Sequence, residues 1–340
     1  MFDKNQSIHY TMVMATLQRF FDYPVSLWSY FRQVDKRLSK KNAPRPVPAD
    51  IKPQRGDLSG VRAVLWDVYG TLSGVSVGDL DRTLEYEDQL AQASGAVIEE
   101  FGLAPSLKQL YPDRSANIAL RDRYLHLIAE SHERSRGAGV AYPEVVIEQI
   151  WQWILEDCRQ VGYMSGYQEP LLDTGYRVAY FFDASIQHNY LYPGIADCLT
   201  KLSHAHLVQG IISNAQFYTP IQLRRLLREE LQRYTVELED FFDESLVFFS
   251  YELGYSKPNP AAFQKANRIL AQQGIKPEEI VYIGNDMLND VWAAAQAGWQ
   301  TILFAADETQ TTLRKDEPNC TQVQPNAIVT KVESLIKMFY

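Results

Sequence analysis

The chain has few cysteines, no long apolar run and no excess of basic charge, and each shortage removes a class of protein. Its three cysteines, Cys158, Cys198 and Cys320, lie far apart and form no C-x-x-C spacing. Neither a disulfide framework nor a structural zinc site is expected. The first thirty residues carry Asp3, Lys4, Arg19 and Asp22 among their apolar positions. No stretch approaches the roughly 18–20 apolar residues of a membrane span, and no secretory leader is expected, so the expected compartment is the cytoplasm. Thirty-three Lys and Arg against 42 Asp and Glu give a net charge of −9, which offers phosphate backbones no attraction. The densest basic group, Arg32, Lys36, Arg37, Lys40 and Lys41, reads as a solvated helix face, and no nucleic-acid partner is expected.

What is present is the composition of a folded globular chain. The 340 residues are 46% hydrophobic and 22% charged, with room for about two domains. In residues 1–41, Val13, Leu17, Phe20 and Phe21 recur at helical spacing before Pro24, and Leu27, Phe31, Val34 and Leu38 form a second stripe. This helical N-terminal extension is aromatic enough to dock on something, either the rest of the chain or a second copy in a homo-oligomer. Residues 42–59 carry Pro44, Pro46, Pro48 and Pro53 and read as a stiff extended linker rather than a packed element.

Val61–Trp66 is a short apolar run that ends abruptly in Asp67. Residues 76–189 then turn helical in period, with stripes at Leu80, Leu84, Leu90 and Ile98, at Leu120, Tyr124, Leu127 and Ile128, and at Ile147, Ile150, Trp151, Ile154 and Leu155. An aromatic stretch, Tyr176, Tyr180, Phe181 and Phe182, reads as core packing. From residue 190 the pattern alternates. Helices at 194–203, 219–233, 259–273 and 287–297 are expected, with strands at 207–212, 246–250, 280–283, 300–304 and 327–329. Strands separated by helices imply a parallel sheet covered on both faces, a doubly wound, Rossmann-like α/β core. Residues 60–75 and 190–340 supply that core, and 76–189 are an insertion in it.

In such a sheet, ligands sit outside the carboxyl ends of the strands. Four strand ends carry chemistry: Asp67-Val68-Tyr69-Gly70-Thr71-Leu72, Ser213-Asn214, Ser256-Lys257-Pro258-Asn259-Pro260, and Gly284-Asn285-Asp286-Met287-Leu288-Asn289-Asp290. Carboxylates gathered at one edge repel unless a cation neutralises them, and oxygen donors without His or Cys favour Mg²⁺. A lysine and small hydroxyls beside that cation make an oxyanion site, most plausibly for phosphate. An ionised Asp67 can then act as a nucleophile toward phosphorus.

The four segments, in this order, resemble the motifs of the haloacid dehalogenase superfamily of hydrolases, as do Tyr192-Pro193-Gly194 and Ala294–Gly298. The likeness covers about residues 60–75 and 190–332. It implies a helical cap in the insertion and hydrolysis of a small phosphorylated substrate through an aspartyl-phosphate. By the resemblance Asp67 is the nucleophile and Lys257 balances charge. Thr71, Ser213 and, less directly, Asn214 bind the phosphoryl group. Asp67, the Tyr69 carbonyl, Asp286 and Asp290 hold Mg²⁺.

Two departures open other readings. Family phosphatases usually carry a second Asp as general acid and base two residues after the nucleophile, where this chain has Tyr69; an ordinary Tyr, with a pKa of roughly 10, is a poor base near neutrality. Tyr69 is what the dehalogenase branch shows, so a metal-independent 2-haloacid dehalogenase is the first alternative. A non-catalytic binding or scaffolding protein on the same core is the second. In the fourth motif, Asn285 follows Gly284 where some members have the first metal-binding Asp. The spacing of Asp286 and Asp290 favours Asp286 for that place.

Overall fold

The computed structural model describes residues 17–38, 46–75, 87–164 and 171–339; Val13, Leu80 and Leu84 of the helical stripes lie outside them. The chain divides into two compact units. The first contains a sheet of six parallel strands. These are β1 (Ala63–Trp66), β4 (Val208–Ser213), β5 (Val247–Phe249), β6 (Ile280–Gly284), β7 (Gln300–Phe304) and β8 (Ala327–Val329), and they lie in the order β5-β4-β1-β6-β7-β8. A separate hairpin pairs β2 (Ser73–Gly74) with β3 (Tyr190–Leu191).

The strands are largely buried because a parallel sheet between helices has no solvent face. Every residue of β1 is buried, as is every residue of β6. The order shows how the chain winds: β1, β4 and β5 run outward in one direction, and β6, β7 and β8 in the other. The reversal leaves β1 between β4 and β6, with Trp66 opposite both Ile211 and Ile283. Ligands of doubly wound sheets bind at the carboxyl ends beside such a reversal, so Asp67, the next residue, stands at the switch point.

The helices Ile195–His204, Tyr218–Leu231 and Ala261–Gln272 connect the strands. Their apolar stripes join the core: Phe263, Ala266 and Leu270 pack with Leu65, Ile212, Phe248, Tyr282 and Trp299. The helix expected over 287–297 is instead one π-helical turn, Met287–Trp292, followed by a short α-helix, Ala293–Gln296. Residues 46–57 are extended but do not stand clear of the fold. Gln54 exchanges backbone hydrogen bonds with Ile328 of edge strand β8, and Ala49 donates to Ala305. Proline removes donors only at its own positions, so the residues between can pair and cover an otherwise open sheet edge.

The second unit is helical. It holds the helix Val25–Leu38 together with Glu87–Phe101, Ala104–Leu110, Ala116–Gly137, Ile147–Gln160 and Leu171–Ile186. Its core is aromatic: the Tyr124, Trp151 and Phe182 rings lie 4.9–5.0 Å apart. Val25–Leu38 joins this core through Leu27, Phe31 and Val34. Phe31 stacks on Tyr180 at 4.3 Å, the Tyr180 hydroxyl donates to Asp35 at 2.9 Å, and Arg37 pairs with Glu100 at 2.8 Å. No helix among the described residues is long and apolar enough to cross a membrane.

Candidate active site

The described site residues belong to the first unit. β1 delivers Asp67, whose backbone N–H donates to the Ile283 carbonyl and so extends the β1–β6 ladder by one residue. The chain then turns sharply, with the Val68 carbonyl accepting from Thr71, Leu72 and Ser73. Gly70 makes this possible at φ +79°. A β-carbon there would lie 2.3 Å from the Asn285 amide nitrogen, so glycine serves both the turn and the approach of Asn285.

Three residues named from sequence meet at one point. The buried Lys257 ammonium donates to Asp67 Oδ1 at 2.8 Å and to Asp290 Oδ1 at 2.5 Å, and a third proton reaches the Tyr282 hydroxyl at 3.0 Å. Burial alone would lower the pKa of Lys257, yet Asp290 and Asp67 together hold it well above its ordinary value. Burial pushes the Asp290 carboxyl up to about 7 against the pull of Lys257, with Asp67 and Asp286 adding to the rise. The cluster carries two carboxylates and one cation. It is therefore charge-poor enough to sit in the interior and still leaves a carboxylate at the sheet edge.

Thr71 and Ser213 are both buried at that edge. Thr71 donates to Asn285 Oδ1 at 3.3 Å, and the Ser213 hydroxyl lies 3.5 Å from the Asn214 carbonyl. The Tyr69 hydroxyl pairs with Thr219 Oγ1 at 2.8 Å, at the start of the helix Tyr218–Leu231.

Two residues stand elsewhere than the sequence reading put them. Asn214, expected at the phosphoryl group, clasps the main chain of Lys257: Oδ1 accepts from the Lys257 N–H at 2.6 Å and Nδ2 donates to the Lys257 carbonyl at 3.2 Å. Both ends of the amide are used in placing the lysine. Asp286, favoured as a metal ligand, has its carboxylate committed to other partners. Arg314 donates to both of its oxygens at 2.6–3.0 Å, and Oδ1 also caps the N–H groups of Leu288 and Asn289. Asp286 is the N-cap of the π-helical turn, and its carbonyl accepts from the N–H groups of both Asp290 and Val291. Asp290 folds back over Gly284, where a β-carbon would lie 2.3 Å from its carboxylate, and accepts the Asp286 N–H at 2.9 Å.

Asn285 is the residue beside the Asp67 loop. Its Nδ2 donates to the Gln310 carbonyl at 2.7 Å, which leaves Oδ1 toward Thr71. Its position directly after β6 was the signal available in sequence. Arg314 and Gln310 come from the loop after β7, and nothing local in the sequence ties them to the fourth motif. Among the described residues no three Asp, Glu, His or Cys side chains form a ready-made metal cage.

Residues 61–298 match the model of the haloacid dehalogenase-like hydrolases. A glyceraldehyde 3-phosphate phosphatase of Pyrococcus furiosus is 33% identical over 113 residues, which are 33% of this chain and 41% of that protein. The haloacid dehalogenase-like hydrolase domain-containing protein 3 of Xenopus laevis is 29% identical over 188 residues, 55% of this chain and 70% of that one. The chain thus spans about half the length of the archaeal phosphatases it matches. A 2-haloacid dehalogenase from Pseudomonas syringae superposes with a TM-score of 0.51 at 18% identity, covering 82% of this chain and 97% of that one, a likeness of fold.

Proposed function

The chain belongs to the haloacid dehalogenase-like hydrolases, and we propose that within this family it is a phosphatase for a small phosphorylated substrate, with Asp67 as the nucleophile. One observation carries the proposal. The Asp67 carboxylate is held by a buried ammonium at the switch point of the sheet, with the Thr71 and Ser213 hydroxyls at the same edge. The archaeal relatives named glyceraldehyde 3-phosphate phosphatase support it.

The donors around Asp67 fit Mg²⁺, which takes hard oxygen ligands and is usually held by one or two carboxylates with the substrate's phosphate completing its shell. Asp67, Asp290, the Tyr69 carbonyl and Asn285 Oδ1 would hold it; Asp286, clamped by Arg314, is not among them. Bound there, the ion supplies charge stabilisation to the phosphoryl oxygens.

The chain's own residues account for the rest. Lys257 fixes one oxygen of Asp67 and leaves the carboxylate oriented for attack. Thr71 and Ser213 offer hydroxyl donors to the phosphoryl oxygens. The Asp67 oxygen bonds to phosphorus as the bond from phosphorus to the leaving oxygen breaks, and the leaving group departs with that electron pair. Water then attacks phosphorus, releases inorganic phosphate and restores the carboxylate. Tyr69 stands where an acid would protonate the leaving oxygen. Aryl phosphates, whose leaving group needs no proton, are therefore expected to react faster than alkyl ones.

The test is phosphate release from a panel that includes para-nitrophenyl phosphate and glyceraldehyde 3-phosphate, with and without Mg²⁺. Turnover by the wild type that is abolished in Asp67→Asn supports the proposal. Equal release by both proteins rejects it. A second reading, a metal-independent 2-haloacid dehalogenase, is favoured by Tyr69 and by the neutral Asn285 beside Thr71. Halide release from 2-chloropropionate in the presence of chelator would establish that reading in place of the first.

A further inference from the structure

Tyr282 lies on β6 beneath the site and is 1% exposed. Its ring packs against Phe263 at 5.4 Å and Trp299 at 6.3 Å, within the apolar cluster that includes Leu65 and Ile212. That cluster explains an aromatic ring, and phenylalanine would fill the same space. The hydroxyl is what the core does not require.

A phenol has one proton to give, and here it goes to the Ile212 carbonyl at 2.5 Å. Toward Lys257, 3.0 Å away, the hydroxyl can only accept. The Ile212 carbonyl belongs to the peptide that ends in the Ser213 nitrogen, so one rigid side chain touches both the cation of the cluster and the strand end that carries Ser213. Lys257 in turn has three ammonium protons and three acceptors: Asp67, Asp290 and Tyr282. Two of these are carboxylates, held at 2.8 and 2.5 Å. With those alone the ammonium can slide toward Asp290, its shorter contact, and loosen its hold on Asp67.

We propose that Tyr282 is the positioning residue of this site: its hydroxyl fixes the Lys257 ammonium between Asp67 and Asp290 and aligns the Ile212–Ser213 peptide with it. The proposal rests on the reading of Asp67 as the nucleophile. It assigns a role to a core residue that touches no reacting atom.

Tyr282→Phe removes the oxygen and keeps the ring. Phe263→Leu disturbs the packing around the same ring and keeps the oxygen, so it controls for loss of core packing. With para-nitrophenyl phosphate, kcat of Tyr282→Phe is expected to fall about tenfold or more, the scale of one hydrogen bond to a charged group, with KM within about twofold. Phe263→Leu is expected to lower the melting temperature with kcat nearly unchanged. Independently of turnover, the buried Lys257 ammonium is expected to give a slowly exchanging signal in lysine Nζ-detected NMR. That signal should persist in Phe263→Leu and be lost in Tyr282→Phe. An unchanged signal in Tyr282→Phe, a kcat within twofold of an active wild type, or equal kcat losses in both variants overturns the proposal. If the wild type hydrolyses no phosphate ester, the phosphatase reading fails, and the NMR comparison still decides whether Tyr282 positions Lys257.

Discussion

Replacing Lys257 with Met removes the one cation between two buried carboxylates while keeping most of the side-chain volume. In the folded protein the lysine side chain is 4% exposed, that of Asp290 is 1% and that of Asp67 is 11%. Removing one partner from a buried ionic cluster leaves uncompensated charge and costs about 3–5 kcal/mol. The cost should depend on pH, and its sign follows from Asp290. Its carboxyl is already raised from 3.8 to about 7, burial being the main cause and Lys257 the main opposing influence. Without the lysine the carboxyl rises further. A carboxyl with a raised folded pKa keeps its proton after the unfolded chain has released it, so stability falls as pH rises through the interval between the two values. Because Asp290 keeps its proton in both folded proteins below about 7, the deficit of Lys257→Met relative to wild type should grow as pH rises above about 7 toward the variant's higher value. Urea unfolding in chelator, so that no divalent ion offsets the carboxylates, should show a lower midpoint with an unchanged slope. Adding Asp290→Asn should recover part of the loss, because the two residues share one interaction. A deficit that does not grow between about pH 7 and about pH 9 would refute the reasoning.

Other consequences follow from close packing. Gly284→Ala places a methyl group 2.3 Å from the Asp290 carboxylate; turnover should fall at least about tenfold, more than a loss of stability of about 1–3 kcal/mol explains, as comparison of kcat with urea unfolding will show. Phe31→Ala removes the ring stacked on Tyr180 and should cost about 3–5 kcal/mol by calorimetry or urea titration. Cys158 and Cys198 are buried, and burial pushes their thiols up to about 11 and about 12. Both should resist a thiol reagent at neutral pH until the protein is unfolded, so rapid labelling of either in native protein would contradict the fold around it.

Much of the core was legible because the rule behind it is simple. A parallel strand buried on both faces is a short apolar run, and the polar residue that ends it falls at the ligand-binding edge. Strands 300–304 and 327–329 are found at the predicted bounds, and Asp67, Lys257 and Asp290 meet although Asp67 and Lys257 are 190 residues apart. What escaped depends on local geometry that leaves little trace in composition. The Asp286 carboxylate caps a π-helical turn and pairs with Arg314, whereas spacing alone suggested an ordinary helix there. Arg314, which claims Asp286, lies 28 residues further on in a loop without a motif. Asn214 looked like a ligand because it follows Ser213, yet its amide is spent on the backbone of Lys257. Residues 46–57 looked detached because prolines break elements, and pairing by the residues between them was not visible.

The most direct measurement concerns the covalent state of Asp67. An aspartyl-phosphate is reduced by borohydride to homoserine, whereas a free carboxylate is not. Wild-type protein turning over para-nitrophenyl phosphate, quenched into borohydride and digested for mass spectrometry, should carry homoserine at position 67, and the Asp67→Asn variant should carry none. Steady turnover with position 67 unmodified, or with the modification on another residue, would contradict the assignment of Asp67 as the nucleophile.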